Sequence, residues 1–268
     1  YYVQIPVAHV EAGLRTYDLY SPFPEEFNRQ AVDIISKYYF APTQVAKNNL
    51  LREGKPSQYI YITGNTVIDA LRTTVREDYT DENLEWAHDS RLIILTAHRR
   101  ENIGIPMQNI FRAIHRILKE YADIKVIYPI HLNPIVRRIA SQEFHDCNNI
   151  KLIEPLDVIE FHNYLAKSTL ILTDSGGIQE EASSLGKPTL VLRNTTERPE
   201  GIVAGTLKLV GTEEEMIYLA TKELLESKEA YEKMSKASNP YGDGFASKRI
   251  ANILLGLNLE AGINSNMN

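Results

Sequence analysis

The run Leu172-Thr173-Asp174-Ser175-Gly176-Gly177-Ile178-Gln179-Glu180-Glu181 decides the fold, because it joins an apolar strand directly to a helix. Two adjacent glycines let backbone N–H groups approach a ligand without interference from a Cβ atom. The helix N-terminus behind them carries about half a positive charge and several unpaired donors. Ser175, Gly176 and Gly177 are therefore predicted to form a cradle for a diphosphate, with Glu181 placed to reach sugar hydroxyls. The alternative is a tight strand-to-helix turn with nothing bound.

Apolar segments and helical segments alternate on both sides of this run. Strands are predicted at 92–96, 125–128, 150–153, 169–173, 189–192 and 206–210. Helices are predicted near 107–121, 133–142, 157–167, 176–185 and 212–226. Continuous Val, Ile and Leu strands with helical crossovers indicate a parallel sheet buried on both faces, as in a Rossmann-like doubly wound domain.

The domain organisation predicted from this pattern has three parts. Residues 1–58 are interpreted as the remnant of an N-terminal Rossmann-like domain, and residues 59–240 as a C-terminal Rossmann-like domain. Residues 241–268 are predicted to form a C-terminal helix that packs back on the N-terminal domain and ends in a frayed tail. The chain starts without Met and enters a strand-like segment almost at once. We therefore expect the N-terminal domain to be truncated in this sequence.

Composition excludes several classes of protein. The chain has 268 residues, 43% of them hydrophobic, and a net charge of −6, which argues against general nucleic-acid binding by charge. The single cysteine, Cys147, excludes an intramolecular disulfide. The sequence contains neither a membrane-spanning apolar run nor a signal-peptide pattern. It lacks an HExxH motif and a cluster of cysteines, so no metal site is predicted. It also lacks the GxGxxG and GxxxxGK[ST] motifs that mark dinucleotide-binding and P-loop sites.

Polar residues follow five of the predicted strands, where ligands bind in such sheets. His98, followed by two arginines, is interpreted as part of a cation cluster that faces phosphates, although a solvated loop with a structural histidine explains it too. Arg198 is a second phosphate candidate, with a surface salt bridge as the alternative. His131 before Asn-Pro serves equally well as a ligand or as a helix cap. Earlier in the chain, Glu11, Glu25 and Glu26 are acid/base candidates, and for the last two helix-dipole stabilisation is the alternative.

The motifs in combination resemble the non-hydrolysing bacterial UDP-N-acetylglucosamine 2-epimerases. The matching stretches, in order, are HVEAGLRT (9–16), SPFPEEFNR (21–29), FAPT (40–43), GNTVID (64–69), TAHRREN (96–102), YPIHLNP (128–134), LTDSGGIQEE (172–181), SLGKP (184–188), TTERPE (195–200), VGT (210–212) and NPYGDG (239–244). The resemblance covers about residues 5–255.

The resemblance implies an α/β, glycosyltransferase-B-like fold of two Rossmann-like doubly wound parallel-sheet domains. It implies reversible conversion of UDP-N-acetylglucosamine to UDP-N-acetylmannosamine by elimination and re-addition of UDP through 2-acetamidoglucal. The expected enzyme is a cytoplasmic homodimer that uses no metal or nicotinamide cofactor and supplies cell-envelope polysaccharide synthesis. A hydrolysing epimerase that releases the free sugar, a glycosyltransferase of the same fold, and a UDP-sugar-binding domain without turnover are the alternatives.

The resemblance also implies roles for individual residues. Ser175, Gly176 and Gly177 would hold the diphosphate, Glu181 the ribose, Phe161 the uracil and Arg198 the nucleotide end. His98 would stabilise the departing phosphate, and Glu11 and Glu25 would be the acid/base carboxylates. Glu25, Arg99 and His131 are candidates for a second, allosteric UDP-N-acetylglucosamine site. The family's N-terminal His-Gly-Asp motif does not occur here. If the polypeptide is no longer than this sequence, we expect UDP binding without epimerisation.

Overall fold

The computed structural model describes residues 1–265, with side chains described through residue 256. The chain divides into two compact units: Tyr1–Arg72 together with the segment that starts at Tyr241, and Thr73–Pro240. The predicted frayed tail ends at residues 266–268, which lie outside the described residues. Within the described part, no helix is both long and apolar enough to cross a membrane.

The first unit contains a three-stranded parallel sheet in the order β1 (Val7–Val10), β2 (Ser36–Ala41), β3 (Ile60–Ile62). Its helices are α1 (Glu25–Ile35), α2 (Gln44–Arg52) and the start of α3 (Thr66–Thr74). The Thr43 side chain accepts a hydrogen bond from the Ala46 N–H at 3.1 Å and so caps α2. The small core between sheet and helices consists of Ala12, Leu14, Tyr39, Ala41, Ala46, Leu50 and Ile60.

The boundary between the units lies later in the chain than the predicted boundary after residue 58. β3 pairs in parallel with β2, with Tyr39 opposite Ile60, so this strand completes the first sheet. The sequence of β3 does not indicate whether this strand joins the sheet before it in the chain or the sheet after it. Hydrogen bonds to the partner strand decide this, and they place residues 59–72 in the first unit.

The long helix α12 (Ala246–Ser265) returns to the first unit. Both carboxylate oxygens of Asp69 on α3 accept hydrogen bonds from its first backbone N–H groups, those of Ala246 at 3.0 Å and Ser247 at 2.7 Å. Gly242 and Gly64 also approach closely, because a Cβ built on Gly242 would lie 3.2 Å from the Cα of Gly64. α12 is therefore held by a carboxylate cap and by a close backbone contact.

The second unit contains six parallel strands in the order β6-β5-β4-β7-β8-β9. Their bounds are β4 (Arg91–Thr96), β5 (Ile124–Pro129), β6 (Ile150–Ile153), β7 (Leu170–Thr173), β8 (Thr189–Val191) and β9 (Leu207–Leu209). The first strand lies in the middle and the order reverses between β4 and β7. This is the doubly wound order of Rossmann folds, and it confirms the predicted α/β class with parallel sheets.

Helices cover both faces of this sheet. They are α4 (Glu82–Ala87), α5 (Ile105–Glu120), α6 (Pro134–Glu143), α7 (Val158–Lys167), α8 (Gly176–Ser184), α9 (Pro199–Ala204), α10 (Glu214–Glu226) and α11 (Lys228–Ser235). On β4, Ile93 and Leu95 pack with apolar residues of α5, α6 and α10, while Leu92 and Ile94 pack with those of α4, α7 and α8. Burial on both faces is the reason that the strand sequences are continuously apolar.

Three short helices were not predicted. α4 falls in the polar segment 77–90, which the sequence analysis interpreted as a connection; the Asp81 side chain caps it by accepting hydrogen bonds from the Asn83 and Leu84 N–H groups, both at 2.9 Å. α9 and α11 follow Arg198 and Ser227. Short helices carry little periodicity, and their caps are the stronger signal.

Candidate functional site

The order reversal between β4 and β7 creates a crevice at the carboxyl ends of these two strands. They pair directly, with Thr96 opposite Thr173, and the threonine hydroxyls lie 2.6 Å apart. The chain leaves β4 toward one side of the sheet and leaves β7 toward the other. The loops after both strands therefore diverge and border an opening, which is where open α/β sheets bind ligands.

Asp174 holds the two loops together. Its side chain is fully buried, and Oδ2 accepts hydrogen bonds from the backbone N–H groups of His98 at 2.9 Å and Arg99 at 2.8 Å. A third comes from Asn102 Nδ2 at 3.0 Å, and the same amide donates to the Leu192 carbonyl at 3.1 Å. The sequence analysis gave Asp174 and Asn102 no role of their own. Their contacts are non-local, and only their position beside predicted site residues could have drawn attention to them.

His98 lies at the edge of this crevice, half-buried against two neighbours. Its ring stacks on that of His131, with the ring centroids 5.4 Å apart, and its Nδ1 is 3.9 Å from Asp174 Oδ1. Burial lowers the pKa of His98 below its ordinary value, Asp174 opposes this, and His131 and Arg99 lower it further. Burial therefore favours the neutral imidazole of His98. The structure thus brings His98, His131 and Arg99 close together.

The N-terminus of α8 faces the same edge of the sheet. Ser175 is its N-cap residue, but the side chain makes no capping hydrogen bond. The backbone N–H of Ser175 donates to the Thr173 hydroxyl at 3.0 Å instead. The first-turn N–H groups of α8 are consequently left for another acceptor, and an anion is the acceptor that the helix dipole favours.

The two glycines of this turn have different surroundings. A Cβ on Gly176 would lie 2.5 Å from Arg198 Nη1 and 2.7 Å from Glu197 Oε1, so a side chain there would have to displace this buried ion pair. A Cβ on Gly177 would meet nothing within 4 Å. Packing therefore explains the glycine at 176. Packing does not explain the glycine at 177, where the absence of a Cβ would instead let a ligand approach the helix N-terminus.

Arg198 is a buried member of an ion-pair network. Its side chain donates from Nε to Glu180 Oε1 at 2.5 Å and from Nη1 to Glu197 Oε1 at 2.6 Å. Arg193 Nη1 donates to the other oxygen of Glu197 at 3.0 Å. Arg198 is only 3% exposed, so the structure places it beneath Gly176 as a clamp between α8 and the loop after β8. The surface salt bridge considered from sequence is replaced by a buried network.

Glu181 and Phe161 lie on neighbouring helices, α8 and α7. Glu181 is 9% exposed; its Oε1 is 3.6 Å from His162 Nε2, and its Oε2 makes no hydrogen bond within the protein. Phe161 precedes His162 and packs half-buried against the core on this face. An unsatisfied buried carboxylate oxygen is costly, and a ligand hydroxyl would satisfy it.

In the first unit, Glu11 follows β1 directly and has a backbone φ of 65°. This left-handed conformation is uncommon for residues other than glycine and marks a strained position. The Asn65 side-chain amide donates to Glu11 Oε1 at 2.8 Å. The carboxylate of Glu11 is therefore positioned by a neighbour from the segment after β3.

Glu25 and Glu26 differ although they are adjacent in sequence. Glu26 is fully buried and accepts hydrogen bonds from the Thr16 N–H at 3.0 Å, the Tyr17 N–H at 3.1 Å and Gln30 Nε2 at 2.8 Å. Its role is to fix the loop before α1, so the catalytic hypothesis for Glu26 is not favoured. Glu25 is the first residue of α1 and is partly exposed.

A buried charge cluster in the first unit was missed by the sequence analysis. Asp33 accepts a hydrogen bond from Arg15 and lies 2.6 Å from His9 Nδ1, and Arg15 Nε also donates to Glu53 at 2.7 Å. Arg15 is 5% exposed. These residues lie in four different segments, so no spacing in the sequence connects them.

Comparisons with known proteins agree on one family. The family model described as UDP-N-acetylglucosamine 2-epimerase matches residues 1–255. The UDP-N-acetylglucosamine 2-epimerase of Bacillus subtilis (strain 168) is 60% identical over 255 residues, which is 95% of this chain and 67% of the relative.

Two solved structures are similar over nearly the whole chain. The S. aureus MnaA–UDP co-structure matches with a TM-score of 0.94 and 56% identity, over 96% of this chain and 71% of that one. The UDP-GlcNAc 2-epimerase from Neisseria meningitidis bound to UDP-GlcNAc matches with a TM-score of 0.90 and 48% identity, over 95% and 71%.

Proposed function

Because the chain belongs to the UDP-N-acetylglucosamine 2-epimerase family, we propose that it interconverts UDP-N-acetylglucosamine and UDP-N-acetylmannosamine. The family resemblance stated from the motifs and the glycosyltransferase-B-like fold class are both confirmed. The degree of identity to the Bacillus subtilis enzyme assigns the chain to the non-hydrolysing bacterial type.

One observation carries the proposal: the uncapped N-terminus of α8 opens toward His98 at the order reversal of the sheet. Elimination of UDP breaks the bond between carbon 1 of the sugar and the diphosphate oxygen, so negative charge develops on the leaving group. Backbone N–H groups at a helix N-terminus and an imidazolium stabilise such charge. The N–H groups of Gly176 and Gly177 supply the first, with the Ser175 hydroxyl beside them. His98 supplies the second once it is protonated.

The nucleotide is proposed to extend from this cradle over α7 and α8. The unpaired Oε2 of Glu181 supports a contact to the ribose hydroxyls, and the exposed part of Phe161 supports packing against the uracil. For Arg198, two carboxylates are already partners. We propose that Arg198 acts at the nucleotide end by fixing the shape of the cradle beneath Gly176.

Proton transfer at carbon 2 is proposed to use carboxylates. One removes the carbon 2 proton as UDP departs, which gives 2-acetamidoglucal, and a proton returned to the opposite face accompanies re-addition of UDP. Glu11 and Glu25 are the proposed acid/base groups, and the hydrogen bond from Asn65 and the strained backbone of Glu11 support a positioned role.

Further properties of the family are proposed for this chain. These are a homodimer, action in the cytoplasm where nucleotide sugars are made, supply of cell-envelope polysaccharide synthesis, and activation by a second UDP-N-acetylglucosamine molecule. For the activator, the stack of His131 on His98 and the hydrogen bond from Arg99 Nε to the Asp174 carbonyl at 3.3 Å link candidate residues to the catalytic loop.

The experiment is incubation with UDP-N-acetylglucosamine in heavy water, followed by proton NMR. The proposal expects deuterium at carbon 2 and UDP-N-acetylmannosamine as product. Free N-acetylmannosamine with UDP would identify a hydrolysing enzyme instead, and saturable UDP binding without deuterium would identify a binding protein. His98→Gln is expected to slow exchange, while His88→Gln, an exposed histidine in the same unit, is the matched control.

A further inference from the structure

Three potential metal ligands meet at the edge of the second unit opposite the nucleotide cradle. His115 lies on α5, and Asp146 and Cys147 lie in the segment between α6 and β6. Their ligand atoms all lie within 4.8 Å of one another. Asp146 Oδ1 is 3.4 Å from His115 Nε2 and 3.7 Å from Cys147 Sγ. Because this segment precedes β6, the cluster lies at the amino ends of the strands.

A neighbouring carboxylate orients the imidazole of His115. Glu143 Oε1 is 3.0 Å from His115 Nδ1 and can accept a hydrogen bond from it in the tautomer that carries its lone pair on Nε2. Nε2 is buried and makes no hydrogen bond. A histidine whose second nitrogen donates to a carboxylate is the usual arrangement around protein-bound metal ions.

We propose that His115, Asp146 and Cys147 form a binding site for a thiophilic divalent cation such as Zn²⁺, with water as the fourth ligand. Zinc binds imidazole nitrogen, carboxylate oxygen and thiolate sulfur at about 2.0–2.3 Å, which places tetrahedral ligands roughly 3.3–3.7 Å apart. The separations of Asp146 Oδ1 from His115 Nε2 and from Cys147 Sγ lie in this range, and all three ligand atoms lie within 4.8 Å of one another. The sequence analysis predicted no metal site because the three residues match no spacing motif.

Binding requires one proton to leave. Burial, followed by Asp146, raises the pKa of the Cys147 thiol to about 11, so the thiol is protonated at neutral pH. The cation forms a bond to sulfur as the S–H proton passes to solvent, and no oxidation occurs. The other charged or titratable groups around the site are Glu143, Lys119 and His145.

Lys119 is the internal competitor for this site. Its ammonium lies 3.7 Å from Asp146 Oδ2, but the side chain is 66% exposed and free to turn toward solvent. A surface cavity of about 190 Å³, lined in part by Lys119, Asp146 and Cys147, gives a cation access. A bound cation would tie α5 to the segment before β6, so its effect is on stability and not on the chemistry at the opposite edge of the sheet.

The test uses cobalt(II) and zinc titrations of the whole chain. Cys147 is the single cysteine, so thiolate-to-cobalt charge-transfer absorption reports this residue alone. We expect one equivalent of Co²⁺ to produce that absorption, Zn²⁺ to displace it, and Zn²⁺ to raise the melting temperature. Cys147→Ser should abolish the absorption, and His115→Gln should weaken binding at least about tenfold.

Two further variants keep the proposal falsifiable if His115→Gln folds poorly. Lys119→Met removes the competing ammonium and should tighten binding several-fold. His88→Gln removes a histidine that lies 3.0 Å from Asp89 on the surface, with no thiol beside it, and should change nothing. Absence of charge-transfer absorption, or equal weakening in the His88 and His115 variants, would overturn the proposal.

Discussion

Asp174 Oδ2 accepts the backbone N–H of His98 at 2.9 Å, so a buried carboxylate fixes the loop that carries the histidine. We expect Asp174→Asn to lower the free energy of unfolding by about 2–4 kcal/mol, because three donors lose a charged acceptor. Because Asp174 opposes the lowering of the pKa of His98, that pKa should also fall further. Urea denaturation and an NMR titration of His98 measure the two effects.

The matched control is Asp123→Asn. Asp123 pairs with Arg91 at 2.7 Å, but its side chain is 57% exposed, so its loss should cost less than about 1 kcal/mol. Equal losses of stability in the two variants would contradict the assigned role of Asp174.

The two glycines of the cradle should respond differently to alanine. Gly176→Ala forces a Cβ against Arg198 and Glu197 and should destabilise the fold by about 1–3 kcal/mol. Gly177→Ala enters open space, so stability should stay the same or rise by up to about 1 kcal/mol, while UDP affinity falls. Chemical denaturation and calorimetric UDP titration separate the effects. Undiminished UDP binding by Gly177→Ala would refute an anion site above this turn.

Binding of UDP should take up a proton at His98. The pKa of His98 lies below its ordinary value in the free protein, and a neighbouring diphosphate raises it by stabilising the imidazolium. Between these two values the complex holds more protons than the free protein, so UDP affinity rises as the pH falls through this window. Calorimetry in buffers of different ionisation enthalpy counts the protons.

His98→Gln provides the comparison for this prediction, because UDP itself also exchanges protons. Subtracting the proton count of the variant isolates the contribution of His98. The same proton uptake with and without the imidazole would show that His98 does not face the phosphate.

The adjacent carboxylates of α1 should separate stability from chemistry. Glu26→Gln replaces one acceptor oxygen by an amide nitrogen, which leaves the N–H of Thr16 or Tyr17 unpaired and should cost about 1–3 kcal/mol. Glu25→Gln should cost less than about 1 kcal/mol but slow deuterium exchange at carbon 2 at least about 100-fold. A stable Glu26 variant, or an unimpaired Glu25 variant, would reverse these assignments.

The second sheet was largely predictable, because buried strands such as β4 are continuous apolar runs and helices such as α5 have a clear period. The boundary between the units could not be predicted, because it depends on the pairing of β3 with β2, which are far apart in sequence. Within the site, the motifs indicated candidate residues, Arg198 among them. They did not predict that Arg198 has Glu180 as its buried partner, because the two residues are 18 positions apart and only tertiary structure brings them together.

The proximity of His115, Asp146 and Cys147 could not be predicted from the sequence either. His115 lies on α5, far in sequence from Asp146 and Cys147, and nothing in its local pattern distinguishes it from a histidine on a helix surface. Its orientation by Glu143 from the end of α6 is visible only after the helices have packed.

Because a Cβ fits beside Gly177 but not beside Gly176, selection for folding and selection for nucleotide binding should act differently on the two positions. A library screened only for well-folded protein would retain glycine at 176 and diversify freely at 177. A library screened for nucleotide capture would retain glycine at both. The range of residues found at position 177 would therefore show whether a library was selected for folding or for nucleotide binding.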